Sequence, residues 1–299
     1  MRKFSFVVLQ YNNHLDSIEC IDSLLKQKYE NFIIVVVDNC STTNSFEIVK
    51  ECYLNEENVY VIRTNKNLGF SKGNNVGIEF SKKKGVDDIA VINNDTSISD
   101  TNFIGKYYSI DLTDTYVIGP RIISTVDNMD QNPFMVENHF IKNRRMAIRL
   151  MLVGFVKYVL ILFGCNEFWE KKNIDRDYTS GLSTKKIKSD NHDFMLYGAA
   201  FILTKEFNNR FDKIPDTTFM YEEETILYMV LQKLELQFQY NPDLVIYHKE
   251  QSSTEKVYSN KRQRLVFGYK EDFKSRVDVF KISIHLNNKK YLSKLLQRR

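Results

Sequence analysis

Four stretches of this chain hold residue types that could do chemistry. Val91–Thr96 reads VINNDT, with Asp95 ending an apolar run beside Asn93 and Asn94. Oxygen ligands of this kind hold hard divalent cations, which neutralise a diphosphate. The same aspartate could instead cap the turn that follows. Phe219–Leu227 reads FMYEEETIL, with three consecutive carboxylates next to aromatics. A helix dipole would favour them at a helix start, and one of them could serve as a general base facing a cleft. His248 closes the apolar run of LVIYHKEQSS, either as a hydrogen-bonded structural residue or as a ligand. Asn67–Ile78 reads NLGFSKGNNVGI, where Gly69, Gly73 and Gly77 recur every four residues. On a helix this spacing lets a backbone or a ligand approach closely. The stretch is neither a dinucleotide fingerprint nor a Walker loop.

The elements that must position these residues can be read from hydrophobic runs. Phe4–Gln10, Phe32–Asp38, Val59–Arg63 and Asp88–Asn93 are short, apolar and β-leaning. Helical spacing lies between them, in Ile18, Ile21, Leu24 and Leu25, in Phe46 to Cys52, and in Val76 to Phe80. Such alternation predicts an α/β fold with a mostly parallel sheet covered on both faces. Ligands then bind beyond the carboxyl ends of the strands. Those ends carry Tyr11-Asn12-Asn13, Asp38-Asn39-Cys40-Ser41, Asn65–Phe70 and Asn93–Thr96. Each cluster alone reads as a turn, but the fold brings four of them to one edge. Further on, Met195–Thr204 reads as a strand and Glu222–Lys233 as a helix. Leu236–Tyr240 and Leu244–His248 read as two strands around Asn241-Pro242-Asp243, and basic helices follow from Asn260.

Composition narrows the class. A chain of 299 residues, 43% hydrophobic and 27% charged, can bury a substantial core. A net charge of +4 is too mild to indicate nucleic-acid binding. Cys20, Cys40, Cys52 and Cys165 have no zinc-site spacing and read as free thiols. The N-terminal apolar run is too short for a signal peptide, and no uncharged run approaches a membrane span.

The ordered set VVLQYNN, IIVVVDNCS, NKNLGFSKGNNVGI, VINNDT, YGAAFILT, FMYEEETIL and PDLVIYHKEQSST resembles the family-2 glycosyltransferases, most closely a bacterial branch of rhamnosyl- and capsular-polysaccharide transferases. The resemblance implies a GT-A (Rossmann-like) nucleotide-sugar-binding fold, a UDP- or dTDP-sugar donor, and inversion at the anomeric carbon. It also implies Mg2+ or Mn2+ at Asp95 and His248. Asp38 would meet the donor's pyrimidine, with Tyr11 and Asn12 as neighbours in the base pocket. Asn67, Gly69, Asn75 and Asn94 would line the donor side. Glu223 and Glu224 match the family's Glu-Asp pair, whose second member is the usual base; with Glu224 a methylene longer than Asp, either glutamate could reach the acceptor. The metal motif departs from the family's in lacking its first carboxylate, where Asn93 stands.

These readings give a GT-A catalytic domain over 1–254, a helical insertion at about 134–190, and a basic helical tail over 255–299. Arg144–Phe163 reads as an apolar helix with Lys142, Arg145, Arg149 and Lys157 on one side. A basic apolar helix lies in a membrane interface or packs under another element. The expected setting is therefore the inner face of the plasma membrane, with 142–163 and the tail at the lipid surface. The expected acceptor is a glycan or a lipid-linked oligosaccharide, and a homodimer is compatible. Two rivals remain. A nucleotidyltransferase would carry a Gly-rich basic loop after the first strand, where this chain has QYNNHLDS. A catalytically inactive binding subunit would keep the fold without turnover.

Overall fold

The computed structural model describes residues 1–135, 143–164, 185–189, 194–250 and 260–298. Lys142, Cys165, the 254/255 boundary and the end of the last motif lie outside the described residues.

The four expected strands form with the expected bounds: β1 (Phe4–Gln10), β2 (Phe32–Asp38), β3 (Val59–Arg63) and β4 (Asp88–Asn93). They pair in parallel in the order β3-β2-β1-β4. The sheet continues through β10 (Ala200–Leu203), β6 (Thr115–Ser124), β11 (Gln237–His248) and the short β5 (Thr96–Ser97). β10 runs antiparallel to both neighbours, whereas β6 and β11 are parallel to each other. β8 (Ile187–Lys188) flanks β11 antiparallel, and β7 (Phe134–Met135) pairs β9 (Phe194–Met195) in a separate ribbon.

Alternation within continuous apolar runs explains why both faces are covered. Phe4, Phe6 and Val8 of β1, with Ile34 and Val36 of β2, pack against α1 (His14–Leu24), α2 (Ser45–Cys52) and α4 (Phe103–Tyr108). Val7, Val35 and Val37 face the other way, toward α3 (Phe70–Lys83), α6 (Lys205–Arg210) and α7 (Glu223–Lys233). α8 (Lys261–Ile284) and α9 (Lys289–Leu295) close that second layer through Val279, Ile282 and Leu292. α5 (Arg144–Leu162) lies on α8, with Ala147, Gly154 and Ile161 buried at seven-residue intervals.

Two readings need correction. Met195–Thr204 is two strands, because a turn at Leu196–Ala199 interrupts it. Leu236–Tyr240 and Leu244–His248 belong to one strand, β11. The Asn241-Pro242-Asp243 segment is absorbed as an irregularity, since Asn241 pairs Pro120 and Val245 pairs the next residue, Arg121.

Gly69 sets the seat of α3. Its φ is +78°, and a Cβ there would lie 2.1 Å from the Phe219 carbonyl oxygen. The Phe70 N–H donates to that same oxygen at 2.8 Å. Gly73 and Gly77 meet Leu9, Val7 and Val37 of the sheet. The glycine spacing therefore serves close packing of α3 on both the sheet and the acidic segment. Gly69→Ala is expected to cost about 1–3 kcal/mol through backbone strain and displacement of Phe219. Urea unfolding of the purified variant checks this.

Candidate functional site

Strand register brings the polar clusters to one edge. Gln10 pairs with Asp38, Asp38 with Arg63, and Leu9 with Asn93. At the far side, the antiparallel pair β5–β11 sets His248 opposite Thr96, hence next to Asp95. The His248 Nε2 lies 3.3 Å from an Asp95 oxygen, and both side chains are buried.

The neighbours of His248 decide which ring nitrogen carries hydrogen. Gln131 donates its amide N–H to Glu250 at 2.6 Å, so its carbonyl oxygen faces His248 Nδ1 at 2.8 Å. Nδ1 must then be the donor, and Nε2 turns toward the Asp95 carboxylate. Two groups able to ligate through oxygen and nitrogen thus face each other there, an arrangement that suits a metal ion between or beside them. The chemistry of Asp95 and His248 thus fits a divalent ion with two protein ligands. Among the described residues no third His, Cys, Asp or Glu joins them. A hard cation bound this way takes its remaining oxygens from water and substrate phosphate.

The other chemical centre is the start of α7. Tyr221 and Glu222 have φ of +69° and +62°, and the helix begins at Glu223. Phe70, Ser71, Leu196, Phe201, Ile214 and Leu227 line a small cleft with Glu223 and Glu224. Burial pushes the Glu223 carboxyl up to about 8, and the charges of Glu224 and Glu222 add to the rise. Glu224 is raised by burial too, while its own N–H and that of Gly198 counter the shift. One Glu223 oxygen, Oε1, is buried without a hydrogen-bond partner. Adjacent, partly buried carboxylates share protons, so one is a natural acid where the other is a base.

Three consecutive residues join the two centres. The Tyr197 ring meets the His248 ring edge-on at 5.9 Å. The Gly198 N–H bonds to Glu224, and a Cβ at Gly198 would lie 2.8 Å from Glu224 Oε1. The Ala199 carbonyl accepts from Asn93 N–H at 2.9 Å. This turn is what divides β9 from β10. Sequence reading missed it, although YGAAFILT stood among the motifs; the glycine inside that apolar run was the available signal.

At the ends of β1 to β3, the residues expected to meet a nucleotide mostly hold one another. Asp38 is fully buried, accepting from Gln10 at 2.9 Å and from Ser41 N–H at 2.9 Å, with Arg63 at 3.5 Å. Asn12 ties the β1 loop to Thr42, and Tyr11 beside it is half-buried. Asn67 accepts from Asn39 and from Gly69 N–H. Asn39, unassigned from sequence, also donates to the Gly69 carbonyl and accepts from Leu68 N–H, holding the whole loop. Asn75 and Asn94 are corrections to the expectation of donor contacts. The Asn75 amide exchanges two hydrogen bonds with the Ile214 backbone, and Asn94 donates to Asn13 and Ser17 at the start of α1. The neighbour of Asn75 fits a ligand better. Asn74 has both amide atoms buried and unpartnered, one turn along α3 from the equally unpartnered Ser71 hydroxyl.

Comparison with known proteins follows from this geometry. The profile of Glycosyl transferase family 2 matches residues 5–158, more than half of the chain. The chain belongs to that family. The glycosyltransferase GlyG of Streptococcus pneumoniae is 29% identical over 114 residues, covering 38% of this chain and 37% of GlyG. The dTDP-rhamnosyl transferase RfbF of Shigella flexneri is 30% identical over 118 residues, 39% of this chain and 38% of RfbF. The matches thus span well under half of those relatives. Among solved structures, S. aureus TarS 1–349 in complex with UDP-GlcNAc superposes with a TM-score of 0.56 at 17% identity. That likeness covers 98% of this chain and 70% of the other, and it shows the fold, which is GT-A.

The carboxylate pair makes stability depend on pH. A carboxyl that titrates near 8 when folded and near 4.5 when unfolded binds extra protons in the native state between those values. Native stability therefore falls as pH rises through that window. The groups facing Glu223 are Glu224, Glu222 and Tyr221, with no cation among the causes of its shift. Glu223→Gln is expected to melt higher than wild type at pH 8, with a gap that closes toward pH 4.5. Thermal melts across that range check the sign.

Proposed function

We propose that the chain transfers a sugar from a UDP- or dTDP-sugar to a hydroxyl of a glycan or lipid-linked acceptor, with inversion. The Tyr197–Ala199 turn carries the reading, since it links the Asp95–His248 pair to a half-buried carboxylate pair at one sheet edge. The names of two relatives support the donor class: RfbF is a dTDP-rhamnosyl transferase, and the TarS structure holds UDP-GlcNAc. Both nucleotides are pyrimidine diphosphates.

In this mechanism Glu224 accepts the proton of the acceptor hydroxyl while that oxygen attacks the anomeric carbon from the face opposite the nucleotide. The C–O bond to the diphosphate breaks, and the nucleotide leaves with the electron pair. The Gly198 N–H fixes the direction of Glu224, and Glu223 holds the proton that two adjacent carboxylates share. Mg2+ or Mn2+ at Asp95 and His248 would supply charge neutralisation for the leaving diphosphate. Asp38, Tyr11, Asn12, Asn39 and Asn67 shape the nucleotide pocket. Ser71 and Asn74 offer hydrogen bonds to the donor.

A screen of UDP- and dTDP-sugars by thermal shift, followed by transfer or donor-hydrolysis assays, tests the reading. Glu224→Gln keeps the shape of the base and removes its function, with an expected loss of ~10²–10⁴-fold in turnover and donor affinity nearly kept. Glu223→Gln should cost less. Asp95→Ala and excess EDTA should each abolish most activity. If Glu223→Gln is the dead variant, the base is Glu223; if EDTA leaves activity intact, the reaction needs no divalent ion at Asp95–His248. A chain that binds donor but never turns over is the inactive subunit.

The partner surface is α5. Its Leu152, Val153, Phe155, Val156, Leu162 and Phe163 remain exposed after it packs on α8, and Arg145 and Arg149 continue the same outer side. No helix among the described residues is long and apolar enough to cross a membrane. Such a helix lies along an anionic lipid surface, so the protein would be peripheral on the inner face of the plasma membrane. Basic residues there contribute about 1 kcal/mol each, so Arg145→Glu with Arg149→Glu should lower binding to phosphatidylglycerol vesicles by more than about tenfold. Unchanged co-sedimentation, with a dimer seen in solution, would assign the face to a second copy of the chain.

A further inference from the structure

The carboxylate pair stands on a backbone that local preferences do not favour. Tyr221 and Glu222 are consecutive non-glycine residues in the left-handed region. Residues rarely adopt that conformation unless surrounding contacts impose it. The contacts come from α8. Ser275 Oγ donates to the Met220 carbonyl at 2.5 Å, and the Arg276 guanidinium lies 3.4 Å from Glu222 Oε1. Thr225 Oγ1 donates to the other Glu222 oxygen at 2.8 Å. Arg276 is itself fixed by Asp272 at 2.9 Å and donates to the Leu150 carbonyl of α5 at 3.4 Å. Its stem crosses α5 at Gly154, where a Cβ would lie 2.5 Å from Arg276 Cδ. One mostly buried guanidinium thus joins α5, α8 and the turn that precedes Glu223.

We propose that Arg276 is a positioning residue for the reaction. It holds Glu222 and the left-handed turn so that Glu223 and Glu224 enter the cleft, and it makes the seating of α5 on α8 a determinant of turnover. This rests on the glycosyl-transfer reading above. Arg276 touches neither carboxylate of the pair and acts through Glu222. Gly154 is then required as the gap through which the arginine passes. A planar guanidinium can serve Glu222, Asp272 and a carbonyl together, whereas a lysine ammonium cannot hold all three in one geometry.

The test uses the whole chain with Arg276→Gln, Arg276→Lys, Glu222→Gln, the Arg276→Gln/Glu222→Gln double variant, and Gly154→Ala. The first readout is amide hydrogen exchange over residues 219–224, which needs no substrate. Exchange should quicken in Arg276→Gln and Gly154→Ala, with Arg276→Lys between Arg276→Gln and wild type. Gly154→Ala adds a single methyl to a helix, so it keeps the test alive if Arg276→Gln does not fold. The second readout is kinetic. Misplacing a base by about 1 Å costs up to about 100-fold, so kcat should fall roughly 10- to 100-fold with donor KM within about twofold. The double variant should be no worse than Arg276→Gln alone, because both changes break one link. Unchanged exchange at 219–224 in both Arg276→Gln and Gly154→Ala overturns the proposal, as do kinetic losses that add in the double variant. A chain that turns over no donor fails the transfer reading, while the exchange result still decides whether Arg276 holds the turn.

Discussion

Two carboxylates sit side by side in a largely apolar cleft, and much of the surrounding structure exists to keep them there. Desolvation opposes their charge, and each one's charge opposes the other's. What offsets this is fixed polar geometry: the first turn of α7, the Gly198 N–H, and the packing of Phe219 against Gly69. A helix start tolerates negative charge through its unpaired N–H groups. The remaining excess is a local instability of the native state. Sites that must receive a proton at neutral pH are built by raising a carboxyl in this way.

The same pressure explains which parts of the molecule could be read from residues alone. The bounds of β1 to β4 were legible because both faces of a parallel sheet are covered, leaving uninterrupted apolar runs such as FIIVVVD. The clusters at their ends were legible as a set because parallel register fixes them to one edge. The division of Met195–Thr204 was not, because the turn at Gly198 is made of small and apolar residues that suit a strand equally well. Its reason lies 26 residues away, in the N–H that Glu224 needs. The span of β11 was hidden by Asn241-Pro242-Asp243, a turn signature that a long edge-adjacent strand absorbs as an irregularity.

Within the site, chemistry was more legible than hydrogen bonding. Asp95, His248, Glu223 and Glu224 carry rare functional groups, and the fold sets His248 beside Asp95 and both glutamates at the start of α7. The asparagines were harder to apportion, since an amide serves equally as wall or as ligand contact. Asn39 and Asn75 hold backbone, while Asn74 has buried and unpartnered polar atoms. Nothing in the adjacent pair Asn74-Asn75 separates them, because successive helix residues point about 100° apart and only the packed structure says which direction is inward. The helix α5 posed a similar choice between lipid surface and internal packing. The fold divides it, with Ala147, Gly154 and Ile161 on α8 and the opposite side left exposed.

The Asp95–His248 pair has one carboxylate fewer beside it than the family pattern provides. Asn93 replaces the first acidic residue, and its backbone N–H is spent on the Ala199 carbonyl. That bond fixes the loop geometry instead of adding charge. Charge is concentrated in Asp95, and direction comes from the chain Glu250 to Gln131 to His248. Once Glu250 accepts from the Gln131 amide, the Gln131 oxygen faces His248 Nδ1 and the ring is held with Nε2 toward Asp95. On the proposed reading, a divalent ion at this pair would take its further oxygens from the donor's diphosphate. Cation and donor would then each favour the binding of the other, and the donor would complete the site that holds it.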